Sequence, residues 1–429
     1  MLETFFNLKQ NNTTVRTEIT AGITTFLTMV YVIFVNPAML AQTGMDQGAV
    51  FVATCLAAAI GSIMMGVLAN YPLGLAPGMG VNAFFTFGIV LGLGLSWQEA
   101  LGSVFLSGVL FTSLSVLPIR EWIINAIPTT LKMGISAGIG LFLAIIGLKS
   151  SGIIVDHPAT LVGLGDLRSP TVLMALFGMM LTAGLYARNI KGSIIISILV
   201  ITAISTLIGH AKFNGIVSMP PSIAPTFLQM ELPDLFSMTT VALVLSLLLV
   251  DLFDSSGTLI GAAKQGNMLD KNGRLPRIKK ALLSDAYATL IGSGLGTSTT
   301  TTYVESTAGI AVGGRTGLTA VVIGFLFLVA LFFAPLAGSI PAHATAPALI
   351  FIACLMAKGA KDINWDDITD YTPSVLIMVA MPLTFSVTDG IGIGFISYVV
   401  IKIIAGKYKE VSPPMYLLSG VFLFKYMAL

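Results

Sequence analysis

Apolar runs long enough to cross a bilayer follow one another from residue 19 to residue 405, with most charged residues in the short segments between them. A hydrocarbon core holds no water, so every backbone N–H and C=O within it needs a partner inside the protein. Helices meet that demand one segment at a time, and about 20 residues suffice to cross. The chain therefore reads as an all-α polytopic membrane protein. Only 10% of its residues are charged, against roughly 25% in soluble domains. The net charge of +2 gives no reason to expect a nucleic-acid partner. The first 18 residues lack the apolar core of a signal peptide. Cys55 and Cys354 lie in apolar runs and read as small core residues, with no disulfide framework and no metal-ligand spacing.

Fourteen spans are expected, at 19–40, 48–69, 73–93, 97–117, 128–148, 170–187, 192–210, 236–262, 281–296, 297–313, 316–335, 341–357, 372–388 and 390–405. A further apolar stretch, 413–429, reads as a C-terminal helix lying on or dipping into the membrane. With the N-terminus cytoplasmic, every Lys and Arg except Lys149, Arg168 and Lys212 falls on the cytoplasmic side. That is the asymmetry the positive-inside rule asks for. Both termini are then expected to be cytoplasmic, in a multi-pass protein of the inner membrane.

Two spans look broken. The stretch NYPLGLAPGMGVNAFF (70–85) carries Pro72, Pro77, Gly74, Gly78 and Gly80, which a continuous helix would not tolerate. The stretch SGLGTSTTTTYVESTAG (293–309) reads as a short extended piece followed by a half-helix starting near Val304. Non-helical backbone at membrane depth needs protein or a water-filled cavity beside it. The breaks fall at corresponding places if spans one to seven (19–210) and eight to fourteen (236–405) are two copies. Seven is odd, so such copies are inverted. Interrupted spans at matched positions of inverted repeats point to a transport site near the bilayer midplane.

Three carboxylates stand where an apolar chain least tolerates them. Asp251 and Asp254 lie in SLLLVDLFDSSGTLIG, one turn apart on one helix face, and Glu305 follows Thr299, Thr300, Thr301, Thr302 and Tyr303. A charge there costs several kcal/mol unless it faces a cavity, a partner or a ligand. Asp254 and Glu305 read as ligand-binding, and Asp251 as supporting or proton-coupling. The plainer alternatives are an Asp bracing a helix and a Glu favoured by a helix-start dipole. Glu305 would accept N–H groups of a polar heterocycle, with backbone N–H groups at the half-helix start meeting its carbonyl oxygens. Asn82 offers donor and acceptor together, suited to the edge of a base; otherwise it satisfies freed backbone. Thr24, Thr25, Thr28 and Tyr31 are candidates to line the cavity. Phe26, Phe84 and Phe85 are candidates to stack on a flat ligand, or are core. His343, near a span start, is a weak candidate for proton work. The GLGD at 163–166 lies in a polar outer loop and is rejected as a protease motif. The run from Lys271 to Lys280 reads as a solvated, topology-setting loop. No metal set or nucleophile–base pair appears in the spans, so an enzyme is not expected.

APGMGVNAFF (76–85), LFDSSGTLIG (252–261) and YVESTAGIAVGGRTGLTAVV (303–322) resemble the signatures of AzgA-like purine permeases, a branch of the nucleobase–cation symporter-2, or nucleobase–ascorbate transporter, family. TTFLTMVYVIFVNP (24–37) and INWDDITD (363–370) fit the same branch. The resemblance implies two inverted sevens with short strands in spans three and ten. It implies a core domain (about 19–117 and 236–335) moving against a gate domain (about 119–210 and 341–405), with the ligand between the strands. It places Asp254, Glu305 and Asn82 at base-binding positions; Thr25, Phe26 and Thr302 are further substrate-binding candidates beside them. Glu305, Asp254 or Asp251 would then carry a coupled proton. It further implies proton symport of a purine base with no other cofactor, and often a homodimer through the gate domain. APGMGVN is closer to the oxopurine carriers, which favours guanine and hypoxanthine over adenine. The rival of another class is an anion carrier or channel of the same fold. Such relatives usually carry a soluble C-terminal domain and lack the tenth-span acid.

Overall fold

The structure is a computed structural model. It describes residues 2–116, 127–158, 160–234, 237–266, 268 and 275–427, without the side chains of Phe253, Ser256, Gly257, Ile260, Lys264 and Gln265. Arg120, Lys271 and Arg274, expected in cytoplasmic loops, lie outside the described residues.

The described chain is mostly helical. Its first membrane-length segment comprises α1 (Val15–Met29) and α2 (Val32–Leu40), broken at Val30 and Tyr31. Then come α3 (Gln47–Met64), β1 (Leu75–Pro77), α4 (Met79–Ala83), α5 (Trp97–Val116) and α6 (Thr129–Ser150). A hairpin of β2 (Ile154–His157) and β3 (Leu161–Leu164) leads to α7 (Pro170–Ala187) and α8 (Ser193–Leu207). The second half has α9 (Met238–Gln265), α10 (Ile278–Leu295), β4 (Thr300–Thr302), α11 (Ser306–Ala311) and α12 (Gly317–Ala330). It ends in α13 (Ala342–Ala357), α14 (Ile368–Thr384), α15 (Val387–Ile404) and α16 (Pro413–Met427). Among the described residues eight helices are long and apolar enough to cross a membrane, and three shorter apolar helices accompany them.

Some helices start on polar caps and end on left-handed residues. Asp46 accepts from Ala49 N–H at 2.8 Å to open α3, and Asn70 (φ 53°) closes its π-helical continuation Met65–Ala69. The expected boundary between the last two spans is displaced. Asp367 caps α14 from Thr369 N–H, so the polar residues Thr369 and Asp370 belong to the helix and it starts at Ile368 rather than 372. Phe385 (φ 51°) then breaks the chain before 388, and Ser386 caps α15. Hydropathy places both edges late because it discounts polar first-turn residues. Cys354 is exposed on α13, not core; only Cys55 is buried.

Helices pack in two sets of neighbours. In one, α12 lies on α3 and α1, and α10 lies on α5 and α3. In the other, α6 lies along α13 and α14, α14 along α15, and α7 on α13 and α8. Backbone contacts are closest where glycine permits. A Cβ on Gly317 would lie 2.0 Å from Gly66 O, and one on Gly309 would lie 2.6 Å from Ala21 O.

The helix α16 returns along α15. Ser419 Oγ donates to Phe395 O at 2.9 Å, and Lys425 Nζ meets Asp389 Oδ1 at 2.7 Å. At its other end Tyr416 Oη donates to Tyr408 O at 3.1 Å. Fifteen residues at 1.5 Å each cover about three-quarters of a hydrocarbon core. α16 thus packs antiparallel on α15 and carries Met427 toward the end where α15 begins.

Candidate functional site

The two interrupted segments meet. Strands β1 and β4 pair antiparallel, Leu75 opposite Thr302 and Pro77 opposite Thr300. Gly78 N–H donates to Thr299 O at 2.9 Å and Tyr303 N–H to Gly74 O at 3.0 Å. Extended backbone with nothing but lipid beside it would be untenable. Here each strand satisfies the other, and Ser62 on α3 and Thr289 on α10 hydrogen-bond their outer edges.

Glu305 follows β4 and precedes α11. Tyr31, at the break between α1 and α2, donates to Glu305 Oε1 at 2.8 Å. Thr28 Oγ1 lies 3.4 Å from Glu305 O. The charge of Asp254 on α9 acts on Glu305, Tyr31 and Tyr303, so both acids share one neighbourhood. Both are part-buried, and Val304 beside them is 53% exposed, so protein does not seal this end of the strand pair. Among the described residues no lysine or arginine acts on Asp254, Glu305 or Asp251. Asp251 is fully buried behind the strands, with Thr289 Oγ1 3.3 Å from its Oδ2.

The other expected residues surround this centre in different ways. Asn82 is fully buried; its Oδ1 accepts from Ser298 Oγ and its Nδ2 is 3.4 Å from Pro77 O. Tyr303 Oη also donates to Pro77 O, at 2.5 Å. The amide of Asn82 thus satisfies freed backbone. Thr302 turns from Glu305, donating to Asp285 Oδ1 at 3.2 Å. Thr25 Oγ1 is buried against Gly309 of α11, without a hydrogen-bond partner among the described residues. Phe26 is part-buried and meets Phe327 edge-on, with ring centroids 5.1 Å apart; Phe84 and Phe85 are core. His343 bonds Ser205 at 2.6 Å. The N–H groups opening α11 are not free for a ligand. Those of Ser306, Thr307 and Ala308 already reach the carbonyls of Tyr303, Val304 and Glu305. A small hollow of about 30 Å³ between α2, α6 and α13, lined by residues such as Met39, Phe87 and Leu349, includes none of the acids.

Three further functional-looking polar residues are ones that the sequence patterns do not single out. Asp285 on α10 is fully buried and accepts from Ser255 at 2.5 Å as well as from Thr302. It lies inside the 281–296 run, so the cost argument applied to Asp251 extends to it. Asn36 donates to Thr54 at 2.8 Å and to Thr297 at 3.0 Å, tying α2 and α3 to the approach of β4. Glu18 caps α12 from α1, accepting from Thr316 N–H at 3.2 Å and Thr319 Oγ1 at 2.6 Å. No local pattern distinguishes either from an ordinary span-edge residue. Among the described residues no group of three or more His, Cys, Asp or Glu could hold a metal.

Residues 16–424 match the model of the Permease family. The chain is 47% identical over 425 residues to adenine permease AdeP of Escherichia coli, covering 99% of this chain and 96% of that one. It is 45% identical over 440 residues to guanine/hypoxanthine permease PbuG of Bacillus subtilis, covering all of both. Among solved structures, the transmembrane domain of a cyanobacterium bicarbonate transporter, BicA, superposes with a TM-score of 0.66 at 16% identity. It covers 88% of this chain and 97% of that domain. At that identity the likeness shows the fold alone. The relatives are permeases, transporters rather than enzymes. The eight membrane-length helices and these matches describe an integral membrane protein. The chain belongs to the Permease family, in the AzgA-like branch of the nucleobase–cation symporters that its three motifs resemble.

Proposed function

We propose that this chain imports purine nucleobases across the inner membrane by proton symport, with guanine and hypoxanthine favoured and adenine the alternative. The observation that carries the reading is that Asp254 and Glu305 share one neighbourhood beside the β1–β4 pair, with no cation among the described residues pairing either. Two carboxylates there suit the N–H groups of a purine edge. Thr25 and Phe26 flank the base, while Asn82 and Thr302 act from behind by holding the Pro77 carbonyl and Asp285. The names of AdeP and PbuG support a purine substrate. A protonated acid in the site would remove the cost of burying its charge and link binding to the proton gradient.

The fourteen spans read as two inverted sevens with a cytoplasmic N-terminus. The antiparallel meeting of two interrupted segments supports that symmetry. The two sets of packed helices correspond to a core that carries the site and a gate, and an elevator-like slide of one past the other exposes the site alternately. A homodimer forms through the gate.

Uptake of radiolabelled base by cells expressing the protein tests the reading. Glu305→Gln abolishes accumulation, and normal uptake in that variant would sink the role given to Glu305. Competition by purines, with and without an uncoupler, separates this reading from an anion carrier of the same fold, whose transport purines would not inhibit.

A further inference from the structure

In the β1–β4 pair, Gly78 with Thr299 and Gly74 with Tyr303 are joined by ladder hydrogen bonds. The alternating positions, Leu75 with Thr302 and Pro77 with Thr300, are therefore non-hydrogen-bonded pairs. The N–H and C=O of Thr300 point away from β1 and must find partners elsewhere. They meet a single group, Thr289 Oγ1 on α10. It accepts from Thr300 N–H at 3.2 Å and lies 3.1 Å from Thr300 O. Leu75 is served the same way by Ser62, at 2.9 and 3.1 Å.

The two caps differ in one respect. Among the described residues Ser62 Oγ bonds only Leu75, whereas Thr289 Oγ1 is also 3.3 Å from Asp251 Oδ2. A hydroxyl has one proton to give. Thr289 can donate to Thr300 O or to Asp251, never to both. Asp251 is fully buried, and its Oδ1 has no hydrogen-bond partner among the described residues. The charged groups acting on it are Asp285 on α10 and Asp254 on its own helix; no described lysine, arginine or histidine does so. Ser255 is within reach, but it donates to Asp285.

We propose that Asp251 carries the coupled proton and that Thr289 relays its protonation state to β4, the strand leading to Glu305. With a proton on Oδ2, Asp251 donates to Thr289 Oγ1, and the Thr289 proton bonds Thr300 O. Both edge groups of Thr300 are then satisfied. When Asp251 gives up its proton, its own bond to Thr289 Oγ1 breaks, the Thr289 proton turns to the carboxylate, and Thr300 O loses its bond; the proton passes from the buried acid toward the substrate side of the strand pair. This deepens the transport reading and rests on it.

The test uses the full chain in proteoliposomes, measuring purine binding and gradient-driven uptake across the acid-to-neutral range. Asp251→Asn loses gradient-driven accumulation and the pH dependence of base binding. Thr289→Val, nearly isosteric, loses the pH dependence, and Thr289→Ser, which keeps the hydroxyl, restores it. Thr289 is a positioning residue, and a merely structural role would lower folded yield without flattening the pH profile. An unchanged pH profile in Thr289→Val, or wild-type accumulation in Asp251→Asn, overturns the proposal. Should Asp251→Asn fail to fold, the Thr289 pair decides alone. Absence of purine binding by the wild type would instead sink the transport reading.

Discussion

Tyr31 donates a 2.8 Å hydrogen bond to Glu305 across 274 residues of sequence. The tyrosine sits where the first helix breaks, and the glutamate where the tenth expected span turns from strand to helix. One bond therefore joins two interruptions that each make sense only in the presence of the other.

Loss of that bond has a direct consequence. A hydrogen bond to a charged group contributes about 1.5–3 kcal/mol, and about 1.4 kcal/mol is tenfold in affinity. Tyr31→Phe leaves the ring in place and frees Glu305, so KM for the base rises about tenfold or more. Initial-rate uptake at matched surface expression measures it. An unchanged KM would separate Tyr31 from substrate binding.

Asn82 is expected to matter for stability as well as for transport. Asn82→Ala strips Ser298 of its buried acceptor, while the Pro77 carbonyl keeps the Tyr303 hydroxyl. An unsatisfied buried polar group costs about 1–3 kcal/mol. The melting temperature of the detergent-solubilised variant falls, and Asn82→Asp, which keeps an acceptor for Ser298, recovers part of the loss.

The approach of Gly317 to Gly66 permits no side chain. Gly317→Ala would put a methyl 2.0 Å from a carbonyl oxygen, and the backbone there cannot rotate away as a side chain could. Overpacking of this kind costs about 1–3 kcal/mol or more. Folded yield drops for Gly317→Ala and holds for Gly184→Ala, where nothing lies within 4 Å. Equal yields would mean that α12 and α3 have room to part.

The cluster joining α14 to α15 makes a prediction about charge. Lys402 is 1% exposed and reaches Asp370 at 2.8 Å and Glu410 at 2.7 Å. Breaking a buried pair costs about 3–5 kcal/mol. Glu410 is half-exposed, so Lys402→Met falls at the low end, about 3 kcal/mol. A drop in melting temperature measures it, and no drop would mean that water already screens the pair.

The same cluster sets a pH window. The Lys407 ammonium, then the hydroxyl and N–H of Thr369, hold the Asp367 carboxyl well below the usual carboxylate range. A depressed value means stabilisation that is complete above the unfolded pKa, about 3.9, and lost as pH falls through the folded one. Lys407→Met therefore melts lower than wild type at neutral pH, and the gap closes only in strong acid. A gap that closed near neutrality would assign the effect to another group.

Much of the site is legible in the amino-acid sequence. Asp251, Asp254 and Glu305 stand out because a carboxylate in an apolar run demands a reason. The glycines and prolines of 70–85 and the threonines of 297–302 announce non-helical backbone. Asp285 meets the same criterion but hides close to a span edge, beside Lys279 and Lys280, where a charge is ordinary. The partner of Asn82 is not legible. Ser298 lies 216 residues away, and no periodicity couples them. Nor is the path of α16, whose apolarity suits either a surface or a helix–helix groove.

Composition and hydropathy by themselves determined the class, the places where helices break and the acids that require explanation. Those are properties of local sequence, since each residue's transfer cost is its own. Tertiary structure alone decided that β1 and β4 satisfy each other, that Thr289 stands between Asp251 and Thr300, and that Tyr31 holds Glu305. Which donor meets which acceptor depends on the packing of helices far apart in sequence, and the choice exists only once they have met.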